Sequence, residues 1–239
     1  MDPMEQARQW IRDASSVAVL TGAGVSAESG VPTFRGAGGL WRERRPEDLA
    51  TPEAFERDPK LVWEWYDWRR RVIAAAQPNP AHLAIAELER RKPRFTLITQ
   101  NVDGLHQRAG SRNILLLHGD IWTVRCVACG RERRDERVPL PEIPPRCECG
   151  GLLRPGVVWF GEMLPPGIWE RAEESVRAAE VVIVAGTSAV VYPAAGLVPL
   201  AKASGARVIE CNMEETPFSA ELDRSLRGRA GELLPELIR

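Results

Sequence analysis

Apolar positions along the chain alternate between two periods. Residues 4–13 place Trp10 and Ile11 on one side of a charged helix, and residues 16–20, Ser-Val-Ala-Val-Leu, read as a short buried strand. After a glycine-rich stretch, Thr51-Pro52-Glu53 has the chemistry of a helix start, with Thr as N-cap and Pro at the first helical position. A helix is predicted from 59 to 76, and Asn79-Pro80 opens another over 81–91, closed by Pro93. Residues 95–99, 114–117 and 181–185 are predicted strands, with 207–210 the last of them. Residues 157–160 are apolar and extended, while 170–179 and 232–238 are helical. Strands alternating with helices predict an α/β fold, a doubly wound parallel sheet of Rossmann-like kind.

Two stretches interrupt that alternation. Residues 40–91 are all helical, and from 126 to 151 the composition shifts sharply to Cys, Pro, Arg and Gly. Both read as inserts that together make a smaller lobe. The expected division is a large domain from 1–39, 92–120 and 155–239, a helical module at 40–91, and a metal-binding module at 121–154.

Composition narrows the class further. The 239 residues are 44% apolar and 27% charged, values of an ordinary globule that can bury a full core. A formal net charge of −1 gives no electrostatic case for nucleic acid or an anionic membrane. The start lacks the apolar core of a signal peptide, and no apolar run approaches a membrane span. Five cysteines, four of them in two close pairs, suit a metal in a reducing compartment better than a disulfide framework. The expected location is cytoplasmic.

The most specific chemistry is the thiolate pattern. Cys126 and Cys129 form one pair and Cys147 and Cys149 another, separated by seventeen residues, each beside glycine. Four thiolates make a closed tetrahedral zinc site with no open position, so the zinc should be structural. Cys211, far away at a strand end, reads as a core residue.

The first strand feeds Gly22-Ala23-Gly24, with Ala27 where a third small residue belongs, which fits the dinucleotide turn. There glycine lets the backbone approach a pyrophosphate. The continuation through Ser29-Gly30-Val31-Pro32 and Arg35-Gly36-Ala37-Gly38-Gly39 predicts a long loop in place of a helix. Such a flap suits a site where the dinucleotide is cut rather than used for hydride transfer. Of three histidines, His82 stands at a helix start, where a buried ring tying down the turn is the simplest reading. His106 and His118 lie beyond strand ends, facing the ligand crevice of a doubly wound sheet, where an imidazole suits general-base work.

The stretch GAGVSAESGVPTFRG at 22–36 resembles the NAD-binding signature of the sirtuins, the NAD-dependent protein-lysine deacylases. Thr33 stands where the usual family form has Asp, and with Gly38-Gly39 following it the stretch is most similar to the class III, desuccinylase-type branch. Gln100-Asn101-Val102-Asp103-Gly104-Leu105-His106 and Leu117-His118-Gly119 resemble two further family segments, and matches keep their order to the last helix. The resemblance implies that an acyl-lysine oxygen attacks the NAD ribose as nicotinamide leaves, giving an alkylimidate, and that His118 then deprotonates the ribose hydroxyls. Asn101 and Asp103 would order the nicotinamide pocket and a water, and Gln100 would contact the ribose. The implied NAD-binding set is Gly22, Ala23, Gly24, Ser26, Ala27, Thr33, Phe34, Arg35, Trp41, Gln100, Asn101, Asp103, His118, Gly186, Thr187, Ser188, Asn212 and Ala230. An acyl-lysine protein or peptide would bind as an extended strand along Val158, Trp159, Phe160, Gly161 and Glu162, clamped by its backbone. Gly156 stands where other members carry a side chain.

Tyr66 and Arg69, three apart on a predicted helix, share a face. Read alone, Arg69 belongs to a solvated Arg69-Arg70-Arg71 run and Tyr66 to the core. The class III resemblance assigns them to the carboxylate of succinyl- or malonyl-lysine, held by an Arg fork and a Tyr hydroxyl. Asp67 should point away from Arg69 around the helix. Two other functions fit parts of the pattern. Mono-ADP-ribosyl transfer would use the same NAD pocket, and a non-enzymatic, NAD-sensing zinc-ribbon regulator could use the basic cluster Arg131, Arg133, Arg134 and Arg137 on nucleic acid.

Overall fold

The computed structural model describes residues 2–34 and 45–239. In chain order its elements are α1 (Pro3–Asp13), β1 (Ser16–Thr21), α2 (Gly24–Ala27), α3 (Pro46–Leu49), α4 (Pro52–Arg57), α5 (Pro59–Ala75), α6 (Pro80–Arg91), β2 (Arg94–Thr99), α7 (Leu105–Arg108) and β3 (Ile114–Leu116). There follow β4 (Gly119–Cys126), β5 (Glu132–Arg134), β6 (Leu153–Val157), α8 (Ile168–Ala178), β7 (Val181–Ala185), α9 (Leu197–Ala203), β8 (Arg207–Asn212), β9 (Arg224–Arg227) and α10 (Ala230–Ile238). Six strands form a parallel sheet in the order β3-β2-β1-β7-β8-β9, and β5-β4-β6 form a small antiparallel sheet. No helix among the described residues is long and apolar enough to cross a membrane.

The β1 strand is buried at every position because helices cover both faces of the sheet. Successive side chains point to opposite faces. Thus Val17 and Val19 pack with α1, α6 and α10, while Ala18 and Leu20 pack with α8 and α9. The strand order reverses between β1 and β7, and the crevice at such a reversal is where a doubly wound sheet takes its ligand.

The second lobe has its own core of Trp63, Tyr66, Ile73, Ile121, Val124, Leu153 and Trp159. Helix α5 starts where Pro occupies the first turn and Asp58 accepts from Leu61 N, and Trp63 Nε1 donates to Leu153 O on β6 at 2.7 Å. Thr51 caps α4 as expected, accepting from Ala54 N.

Several sequence expectations need revision. The strand after 207 is not the last: β9 lies beyond it, carrying one buried apolar residue, Leu226, in Arg-Ser-Leu-Arg. Strand β6 ends at Val157, and residues 158–160 are irregular. The expected helical module at 40–91 does not follow the packing, because Ala81, Ile85 and Leu88 of α6 join the core of the large sheet. Only its earlier helices pack in the second lobe, with Ala54, Phe55, Val62 and Trp63 contributing to that core.

Candidate active site

The ends of β1 and β7 meet through glycine. Gly24 N donates to Gly186 O at 2.8 Å, and a Cβ on Gly24 would lie 2.8 Å from Gly186 Cα. Gly186 has φ +57°, and a Cβ there would stand 2.4 Å from Val25 N. The glycines are therefore required by two turns packing against each other, a reason additional to the expected approach of a pyrophosphate. A single helical turn, α2, follows Gly22-Ala23 before the loop begins, where the sequence reading had loop alone.

That turn places Ser26 in a buried polar chain whose proton directions are fixed. Asn79 N donates to His82 Nδ1 at 3.2 Å, closing a capping box at the start of α6. A backbone N–H can only donate, so Nδ1 is the acceptor and Nε2 carries the proton. His82 Nε2 then donates to Ser26 Oγ (3.3 Å), and Ser26 donates to Asp103 Oδ2 (2.7 Å). Asp103 Oδ1 accepts from Leu105 N at 2.8 Å. Burial pulls His82 down to about 4, so the ring is neutral at neutral pH. Burial raises Asp103, opposed by the bonds from Leu105 and Ser26. His82 thus ties down its turn, as its position suggested, and also reaches the crevice.

Asn101, buried beside Asp103, donates through Nδ2 to Gly22 O (3.0 Å) and Ser26 Oγ (3.3 Å), which leaves Oδ1 as its acceptor. His106 is buried too, with Nε2 3.1 Å from Thr21 Oγ1, and burial holds it well below the ordinary imidazole range. It is part of the floor rather than the crevice. His118 is the differently placed histidine. It follows β3, is only partly buried, and its Nδ1 lies 3.1 Å from Gln100 O. A carbonyl can only accept, so Nδ1 carries the proton and the lone pair sits on Nε2. Burial lowers its basicity and the bond to Gln100 raises it.

Around the crevice, Gln100 Nε2 donates to Thr187 Oγ1 (3.0 Å) and Asn212 Nδ2 donates to Thr187 O (2.8 Å), so three of the expected residues brace one another. Ser188 and Ala27 are exposed, Ala23, Thr33 and Phe34 half-buried. Ala230 begins α10 and is buried in the core; its neighbour Gly231 donates to Glu28 Oε1 at 2.8 Å. Arg35, Trp41 and Gly38-Gly39 lie outside the described residues.

In the second lobe Arg69 is buried, not solvated. Its guanidinium carbon lies 4.8 Å from the Phe34 ring, 4.9 Å from Trp65 and 5.6 Å from Tyr66. It walls a recess with Val31, Pro32, Trp68, Val72 and Ile73. Asp67 points away as expected, accepting from Leu140 N (2.8 Å) and pairing with Arg71. Of the expected peptide-binding residues, Val158 N donates to His118 O (2.9 Å) and Phe160 N to Ala50 O (2.9 Å). Phe160 and Gly161 are exposed, whereas Trp159 turns inward and Glu162 is held by Arg154 at 2.5 and 2.8 Å. Gly156 has no room for a side chain, since a Cβ would meet Thr123 Cβ at 2.7 Å.

The ligand atoms of Cys126, Cys129, Cys147 and Cys149 all lie within 4.8 Å of one another. Cys126 and Cys149 are 3.5 Å apart and Cys129 and Cys147 3.9 Å, bracketing the roughly 3.8 Å edge of a tetrahedron with Zn–S bonds near 2.3 Å. The cluster fits one structural zinc ion. Cys211 is fully buried, its thiol pushed up to about 12. The arginines of the expected basic cluster each face a carboxylate: Arg131 meets Glu148 (2.6 Å), Arg134 meets Glu136 (2.6 Å), and Arg133 and Arg137 meet Asp135 (3.7 and 2.5 Å).

Sequence reasoning missed Trp122 altogether, and it placed Trp159 on the peptide side without its inward contact. Trp122 Nε1 donates to Asp103 O at 2.9 Å, and Trp159 Nε1 donates to the Tyr66 hydroxyl at 2.9 Å. Both contacts join residues far apart in sequence, and the only local signal was an aromatic residue in an otherwise ordinary strand or turn.

Comparison with known proteins agrees with this geometry. The "SIR2: Sir2 family" model matches residues 22–193. An Aquifex aeolicus NAD-dependent protein deacylase is 62% identical over 216 residues, 90% of each chain. Archaeoglobus fulgidus NAD-dependent protein deacylase 1 is 55% identical, covering 98% of this chain and 96% of its own. Among solved structures, a Sir2 homolog–NAD complex superposes with a TM-score of 0.93 at 55% identity, covering 98% of this chain and 92% of that one. A Sir2–p53 peptide–NAD+ complex superposes with a TM-score of 0.89 at 32% identity, covering 98% and 97%. With the switch-point crevice, the ordered motifs and the four-thiolate cluster in one chain, this protein belongs to the Sir2 family.

Proposed function

We propose that this chain is an NAD-dependent protein-lysine deacylase whose acyl pocket favours groups ending in a carboxylate, succinyl and malonyl, while also accepting acetyl-lysine. The observation that carries the catalytic part is the sorting of the three histidines. His82 and His106 are buried and tied to Ser26 and Thr21, whereas His118 alone holds its lone pair on Nε2 at the crevice end of a strand.

NAD would be the co-substrate, supplying a ribose carbon that takes the acyl oxygen as nicotinamide departs. The turn Gly22-Ala23-Gly24, with Ser26, Ala27, Thr33 and Phe34, would hold its phosphates and nicotinamide side. Gln100, Gly186, Thr187, Ser188, Asn212 and Ala230 would line the ribose and adenosine side. Asn101 Oδ1 is oriented to accept from an amide, and the neighbouring Asp103 carboxylate suits developing positive charge. His118 Nε2 would take a proton from a ribose hydroxyl, its imidazole held in the basic tautomer by Gln100 O. Products would be nicotinamide, free lysine and 2′-O-acyl-ADP-ribose. The substrate peptide would lie extended beside residues 158–162, recognised by its backbone.

Acidic acyl preference rests on Arg69. A guanidinium stacked among three aromatic rings keeps its charge while shedding water, which suits a fork that receives a carboxylate. The deciding measurement is NAD-dependent kcat/KM on one peptide bearing either acetyl- or succinyl-lysine. His118→Ala should lower both by about 10²- to 10⁴-fold with zinc retained. Arg69→Met should lower desuccinylation far more than deacetylation, and equal loss of both would overturn the carboxylate pocket. Absence of turnover on either peptide would overturn the deacylase reading.

A further inference from the structure

Tyr66 does not stand alone behind Arg69. The Trp159 ring reaches the buried Tyr66 hydroxyl, and the indole N–H donates to it at 2.9 Å. A tyrosine hydroxyl has one proton to give and lone pairs to receive. An indole N–H can only donate. The Trp159 bond therefore occupies a lone pair and directs the Tyr66 proton elsewhere, as a donor.

The indole is itself held on three sides. Its face carries the Arg154 guanidinium, whose carbon lies 3.5 Å from the ring centroid. Arg154 forks onto Glu162 at 2.5 and 2.8 Å, and the Trp159 backbone N–H donates to the same carboxylate at 2.8 Å. Phe55 packs on the ring with centroids 5.4 Å apart. An indole fixed in this way presents its N–H in one direction.

We infer that Trp159 is a specificity-determining residue for the acyl group. By donating to Tyr66 it polarises the hydroxyl and commits its proton to an acceptor-only group, a carboxylate, at the end of the acyl chain. The inference rests on the proposed Tyr66–Arg69 pocket. It adds that discrimination is set from the segment that would clamp the peptide, through the chain Glu162, Arg154, Trp159, Tyr66. An acetyl group has no carboxylate to receive the Tyr66 proton, so its turnover depends less on this bond.

The test compares kcat/KM for succinyl- and acetyl-lysine forms of one peptide in four proteins: the parent, Trp159→Phe, Tyr66→Phe and the double variant. Trp159→Phe keeps an aromatic ring and deletes the donor. It should lower the succinyl-to-acetyl ratio on the order of tenfold, the scale of one hydrogen bond coupled to a charged group. In the Tyr66→Phe background the same substitution should leave the ratio unchanged. A Trp159→Phe protein with the parent ratio, or an equal fall in ratio with and without the Tyr66 hydroxyl, overturns the inference. Replacing the Trp159 indole with a benzothiophene removes the N–H and preserves the ring's shape, so the question stays answerable if the Phe variant folds poorly. Arg69→Met runs alongside. If Arg69→Met leaves the ratio unchanged, the pocket reading fails; if it lowers the ratio while the Trp159 variants do not, only the present inference fails.

Discussion

The crevice and the second lobe bury polarity in opposite ways. Along the crevice, Asn79, His82, Ser26, Asn101 and Asp103 are linked by hydrogen bonds whose directions follow from a backbone N–H at one end. The histidines there are kept neutral by burial. In the second lobe three arginines are buried along with Asp67 and Asp135, and aromatic faces do much of the holding of the arginines. Arg69 lies among three rings, Arg154 on Trp159, and Arg70, fully buried, sits 5.2 Å from the Trp122 ring. Directed hydrogen bonds fix where protons sit, which a proton-transfer site needs. Stacked guanidinium groups fix where charge sits, which suits reading an anionic group.

The sharpest way to break the comparison is at Arg70. Its three guanidinium nitrogens have no hydrogen-bond partner among the described residues, and its nearest carboxylate is Asp135 at 3.9 Å. Asp135 also holds Arg137 and Arg133. Removing one partner of a buried pair leaves an uncompensated charge, so Asp135→Ala should cost about 3–5 kcal/mol in urea unfolding. A cost under about 1 kcal/mol would mean that the Trp122 face alone compensates the charge. If Arg70→Met in the Asp135→Ala background restores stability, charge and not shape is what the lobe was holding.

On the crevice side the corresponding test is pH. His82 is lowered from an ordinary value of 6.5 to about 4, so the folded state resists protonation that the unfolded chain accepts. Its contribution is complete above about pH 6.5 and is lost as pH falls toward 4, by about 3 kcal/mol in all. His82→Gln should flatten that part of the stability profile. An unchanged slope would place the acid sensitivity in other groups. The smallest effect is local: Thr51→Ala, which removes the cap of α4, should cost about 1 kcal/mol and leave both networks intact.

How much of this was legible in the sequence follows the range of each interaction. The β1 and β7 strands were readable because burial on both faces makes them continuous apolar runs. Thr51, Asn79 and the four cysteines were readable because a cap or a metal ligand declares itself within a few residues. Asp67 could be turned away from Arg69 by helix geometry alone. Strand β9 was hidden because an edge strand of Arg-Ser-Leu-Arg carries little apolar pattern, and β4 because a register shift between Gly119 and Val124 breaks its alternation. Arg69 looked solvated because its cover comes partly from Phe34, thirty-five residues earlier. The Trp159–Tyr66 bond spans ninety-three residues and has no local signature.

The chain enters the small sheet through Gly119, one residue after His118, and leaves it through Val157, one residue before Val158 bonds back to His118 O. The paired strands between them carry the cysteine cluster at their far end, a lever of roughly 20 Å at about 3.3 Å per residue. In mechanical terms the imidazole is mounted at the fulcrum and the metal cluster at the tip. A swing of that lobe sweeps the tip through the longest arc while the imidazole chiefly tilts. Any movement of that lobe about this point would therefore shift a reporter near Cys129 further than one near His118.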